Sequence, residues 1–89
     1  MALQVQLVAA DRSVWSGEAS TVIARTVDGD LGVLPGHEPL FAELASGVVL
    51  VRTTDGEQVA AAVHGGFISV ENDTVSLLAE VAELAHEID

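Results

Sequence analysis

The sequence has no cysteine and no lysine. Without cysteine there is no disulfide to staple a small core, no thiolate metal site and no thiol redox chemistry, a usage that suits a reducing compartment without requiring one. Without lysine the only strong cations are Arg12, Arg25 and Arg52, set against 14 acidic residues for a net charge of -11. Nucleic acid is bound by releasing counterions through lysine and arginine, so three scattered arginines exclude it as a partner. Anionic lipid headgroups are disfavoured for the same reason. Also missing are a basic amino-terminal region ahead of an apolar stretch and any apolar run near the roughly 18 residues that a membrane-spanning helix needs. Direct membrane insertion is therefore not expected. So acidic a surface suits a basic protein partner, and by itself it is equally consistent with solubility alone.

Present instead are 89 residues with 49% hydrophobic content, enough for one compact domain and no second. Leu3, Val5, Leu7 and Ala9 alternate with other residues at a period of two, the mark of a strand with one buried face. Val14-Trp15 forms a short piece, separated by Ser16-Gly17-Glu18 from a β-rich run over Thr21 to Val27. Asp28-Gly29 then has the composition of a tight hairpin turn. Leu31 to Leu34, Phe41 to Ala45, Val48 to Thr53, Gln58 to Val63, Phe67 to Val70 and Thr74 to Leu78 complete a series of short strands, broken by turn residues every 8 to 12 positions or so. The paired glycines after His64 suggest a bulge, a bend or a close backbone approach. Val81, Leu84 and Ile88 fit a helix or a continuation of the preceding strand, with strand preferred. These features predict an all-β sandwich or barrel, with a β-sandwich domain over 1–84 and a tail over 85–89.

Chemistry is sparsely encoded. His37, His64 and His86 lie in different segments, and a zinc site needs three or four converging ligands with supported second partners, so no metal and no cofactor are expected. Ser69 or Ser76 with His64 and an aspartate would make a formal triad, but no Gly-x-Ser-x-Gly elbow is present. Asp28 and Asp30 on a turn are more simply solvated than catalytic. The glycines from Gly29 to Gly36 lack the lysine and hydroxyl residue of a phosphate loop. An enzyme is not expected. What remains is a loop stiffened by Pro35 and Pro39 that carries His37 and Glu38.

That segment, Gly29-Asp30-Leu31-Gly32-Val33-Leu34-Pro35-Gly36-His37-Glu38-Pro39-Leu40, resembles the signature of ATP synthase epsilon subunits. Trp15-Ser16-Gly17, Leu44 to Gly47, Gly65-Gly66-Phe67 and Val75 to Glu80 resemble further family patterns, so the likeness runs over essentially the whole chain. It implies a ten-stranded β-sandwich and a non-catalytic rotor role in proton-transporting ATP synthesis. One side would pack on the gamma subunit of the central stalk, and one end, an acidic tip, would rest on the polar loops of the c-ring. It further implies a peripheral position on the cytoplasmic face of the cell membrane. The position that matches the family's c-ring contact is Asp30, with His37 and Glu38 added from the neighbouring loop. Residues that face gamma are not identified by the likeness. Parts of Phe41 to Leu44 and of Gly66 to Val70 are candidates, while Phe41, Phe67 and Trp15 are each expected in the core. Ile88-Asp89 match only the start of the family's nucleotide-binding motif, so ATP sensing and helix-mediated inhibition do not carry over. A free-standing sandwich that binds some other protein through the proline-bracketed loop is the alternative, and apolar surface left for a partner would favour self-association.

Overall fold

In the computed structural model residues 2–85 are described, and they form seven strands and no α-helix. The strands are β1 (Leu3–Ala9), β2 (Arg12–Thr26), β3 (Gly29–Val33), β4 (Leu40–Glu43), β5 (Gly47–Thr53), β6 (Gln58–Glu71) and β7 (Thr74–Leu84). The all-β expectation holds. The count differs from the expected ten: seven strands are present, because β2, β6 and β7 each pass through both layers. Residues 12–19 of β2, β1, 74–79 of β7, 66–71 of β6 and β4 lie side by side as one layer. Residues 21–26 of β2, β3, β5, 58–64 of β6 and 81–84 of β7 make the other. Seven strands, three of which serve twice, therefore supply ten strand segments.

The break expected at Ser16-Gly17-Glu18 does not occur, and β2 runs through it without interruption. Its passage between layers comes later, at the register shift between Ala19 and Thr21. The β6 crossover falls on the paired glycines. Gly66 has a φ of 119°, and a Cβ there would stand 2.0 Å from the Leu78 carbonyl oxygen. Only glycine allows the two backbones to approach so closely.

Between the layers lies a core built almost wholly of Val, Leu, Ile and Ala. In β1 the period-two pattern buries Leu3, Val5, Leu7 and Ala9. They pack with Ile68, Val70, Val75 and Leu77 of the same layer and with Val22, Val33, Val49, Val51 and Val63 of the other. Thr26 is the one polar side chain buried among the described residues, and it is satisfied. Its Oγ1 donates to the Gly29 carbonyl at 2.7 Å and accepts the Asp28 N–H at 3.2 Å, closing the β2–β3 hairpin. Trp15 is half-buried against the core, with its ring over Gly17. Phe41 and Phe67 are not in the core, contrary to expectation: 70% and 46% of their surfaces remain exposed. β7 ends at Leu84, and the tail expected over 85–89 lies, from residue 86, outside the described residues.

Candidate protein-docking surfaces

Two surfaces stand out. The first is the flank formed by Gly29 to Glu43. β3 pairs with β2 alone and β4 with β6 alone, so both are edge strands. They are tied together at one end by the Val27 N–H, which donates to the Glu43 carbonyl at 3.0 Å. At the other end they are joined covalently by residues 34–39. Glycine punctuation keeps β3 to five residues and leaves its outer edge unpaired among the described residues.

Asp30 stands near the hairpin end of this flank, directly across from Arg25 in the β2–β3 ladder. The Arg25 Nε donates to Asp30 Oδ1 at 3.3 Å, and both side chains are largely in solvent. An exposed pair of this kind contributes about 0–1 kcal/mol to folding. Its carboxylate is nonetheless shared, so a basic partner must compete with Arg25 or accept both charges.

His37 and Glu38 sit at the opposite end, beyond the last residue of β3. From Asp30 to Val33 the strand alone advances about 10 Å. The three expected contact residues are thus not one cluster at a tip, but lie along one edge of the sandwich. His37 is half-buried, and its Nδ1 lies 2.7 Å from the Glu38 carbonyl oxygen. The loop is turned by a hydrogen bond from the His37 N–H to the Leu34 carbonyl at 3.1 Å. It is also held from outside by Asp73, whose Oδ1 accepts the Gly36 N–H at 2.7 Å.

The second surface is the outer face of the β4–β6–β7–β1 layer. Phe67 lies opposite Leu78, and Leu78 opposite Val8, in one row across three strands. Phe41 stacks on Phe67 with ring centroids 5.1 Å apart. Leu78 is 54% exposed, and with Phe67, Val8 and Ala10 it lines an open apolar groove. Glu43 and Glu80 border this patch. Sequence parity carried the signal: Phe41 shares its face with Glu43, and Phe67 with Ser69 and Glu71, so both rings must point outward.

His64 faces Val81 across the β6–β7 ladder, and Ser69 faces Ser76. Among the described residues no group of three or more His, Asp or Glu is placed to hold a metal ion.

Residues 2–85 match the model of the family described as ATP synthase, Delta/Epsilon chain, beta-sandwich domain. The chain belongs to this family. An ATP synthase epsilon chain from Streptomyces avermitilis is 67% identical over 87 residues, covering 98% of this chain and 70% of that one. The epsilon chain of Rhodococcus jostii is 53% identical over 88 residues, covering 98% of this chain and 72% of the relative. Among solved structures, a chain in the Euglena gracilis mitochondrial ATP synthase, an assembly of OSCP, F1 and c-ring, superposes with a TM-score of 0.91 at 28% identity. That match covers 99% of this chain and 56% of the Euglena chain. A chain in the central stalk and c-ring structure of the Tetrahymena thermophila mitochondrial enzyme gives a TM-score of 0.76 at 15% identity, over 90% of this chain and 64% of that one, a likeness of fold. In the delta/epsilon framework the flank is the segment that carries the family-like signature. The aromatic face is a feature that the signature does not mark.

Proposed function

We propose that this delta/epsilon-family domain is a non-catalytic rotor part of an F-type ATP synthase, joining the gamma subunit of the central stalk to the c-ring during ATP synthesis. The observation that carries the proposal is the pair of unlike surfaces on one small sandwich. The Phe41, Phe67 and Leu78 face is apolar and aromatic, the composition of the centre of a protein interface, and it is the surface we assign to gamma. The β3 edge and the loop after it carry Asp30 at one end and His37 and Glu38 at the other, with Leu34 exposed between them, and this is the surface we assign to the polar loops of the c-ring. An acidic edge with a net charge of -11 behind it attracts basic loops over distance, and a proline-bracketed loop loses little freedom on docking. Such a domain works peripherally, on the cytoplasmic face of the cell membrane, without entering the bilayer.

Calorimetric titration of the purified chain into gamma tests the reading. Binding that survives high salt and is lost on replacing Phe67 by serine supports it, because an apolar contact is insensitive to screening. Failure to bind gamma, with capture of an unrelated protein or dimerisation through the aromatic face instead, overturns it in favour of a free-standing binding module.

A further inference from the structure

The two-residue turn between β6 and β7 is Asn72-Asp73, and both residues have positive φ, 51° and 59°. A two-residue hairpin with both central residues in the left-handed region favours Asn-Gly, because glycine adopts that conformation without a steric penalty. Asp73 is a poorer turn residue than glycine at its own position, so its side chain serves something other than the turn.

Its contacts say what. The Asp73 main-chain carbonyl accepts the Gln4 N–H at 2.8 Å, anchoring the start of β1. Its carboxylate reaches 37 residues back in sequence to accept the Gly36 N–H at 2.7 Å. Gly36, at a φ of 86°, is the turning point of the loop that joins the two edge strands of the flank. A charged acceptor on that N–H fixes the plane of the Pro35–Gly36 peptide, and with it the direction in which His37 and Glu38 leave the turn.

We propose that Asp73 is a positioning residue for the flank: its carboxylate latches the signature loop at Gly36 so that His37 and Glu38 are presented in one orientation to the partner on that edge. The proposal rests on the c-ring assignment made above. It adds a residue outside the signature segment to the machinery of that contact.

The test compares Asp73→Gly and Asp73→Asn with the wild-type chain. Asp73→Gly creates the favoured Asn-Gly turn while deleting the latch, so the fold is retained, with a Tm within about 3 °C of wild type. In that variant the Gly36 amide exchanges roughly tenfold faster and its proton resonance moves upfield. Affinity for a detergent-solubilised gamma–c-ring assembly falls roughly three- to tenfold, since the loop must be ordered on binding. Asp73→Asn keeps an acceptor oxygen and tolerates positive φ, and it restores most of both properties. An unchanged Gly36 amide in Asp73→Gly overturns the latch. A faster amide with unaltered affinity overturns the positioning role. If the wild-type chain itself does not bind the assembly, the c-ring assignment fails, and the presentation of His37 and Glu38 falls with it.

Discussion

Phe41 and Phe67 are diagonal neighbours across the β4–β6 ladder, each standing directly opposite a polar residue, Ser69 for Phe41 and Glu43 for Phe67. Their rings close the gap between rows, 5.1 Å apart and 18° from parallel. Stacking of this kind adds about 0.5–1.5 kcal/mol beyond burial, which keeps the two rings in place while their outer faces stay in water.

Replacing these rings separates folding from docking. Phe41→Ala and Phe67→Ala each reduce stability in urea denaturation by about 1 kcal/mol, mostly the stacking contribution. Each weakens gamma binding by about 2 kcal/mol or more, as expected of an aromatic at the centre of an interface. Leu77→Ala, one position away from Leu78 but fully buried, reverses the pattern: about 2–5 kcal/mol of stability is lost through the cavity it leaves.

Gly66→Ala is expected to cost about 3 kcal/mol or more, because the new methyl group collides with the Leu78 carbonyl and the backbone must leave its positive φ. Gly32→Ala, on β3 with open space around the position, changes stability by less than about 1 kcal/mol. Equilibrium denaturation of the two variants distinguishes a glycine needed for close approach from one that is not.

Asp30→Asn leaves thermal stability within about 0.5 kcal/mol of wild type, because the ion pair with Arg25 is solvent-exposed. Binding to the c-ring assembly becomes weaker and less dependent on salt. Equal salt slopes for wild type and variant would remove Asp30 from that contact.

The carboxyl of Asp55 is held below the usual carboxylate range, chiefly because the Thr53 hydroxyl donates to it across the β5–β6 turn. A depressed folded-state pKa means that the stabilisation is present above the unfolded value and is lost as pH falls through the folded one. Thr53→Val removes the donor, so in an NMR titration the Asp55 carboxyl should move up toward its ordinary value. The acid side of the stability curve should then become shallower.

Much of the architecture was legible in the sequence because one buried face leaves a clear period of two, as in Leu3, Val5 and Leu7, and because Asp28-Gly29, Thr54-Asp55-Gly56 and Glu71-Asn72-Asp73 punctuate the strands. What was not legible was continuity. Ser16-Gly17-Glu18 reads as a break, yet β2 carries through it, since a strand bent between layers tolerates a glycine where Trp15 folds over the gap. Phe41 and Phe67 were expected inside on hydrophobicity, although their alternation with Glu43, Ser69 and Glu71 already assigned them to the outer face. Asp30, His37 and Glu38 could be chosen from the signature segment, but not their separation along an edge, which depends on β3 lying between them. Asp73 was legible only as part of a turn; its bond to Gly36 gave no signal, because a contact across 37 residues leaves no mark on local pattern.

The sharing of β2, β6 and β7 between the two layers has a mechanical consequence. In a sandwich whose sheets meet only through side chains, a sideways load is resisted by packing, which yields by sliding. Here three continuous chains cross from sheet to sheet at different places, at Ala19 to Thr21, at His64 to Gly66 and at Ala79 to Val81. Displacing the aromatic face relative to the β3–β4 flank must therefore stretch covalent backbone or strip whole ladders of hydrogen bonds. Twisting force that enters through one surface reaches the other with little lost to internal shear.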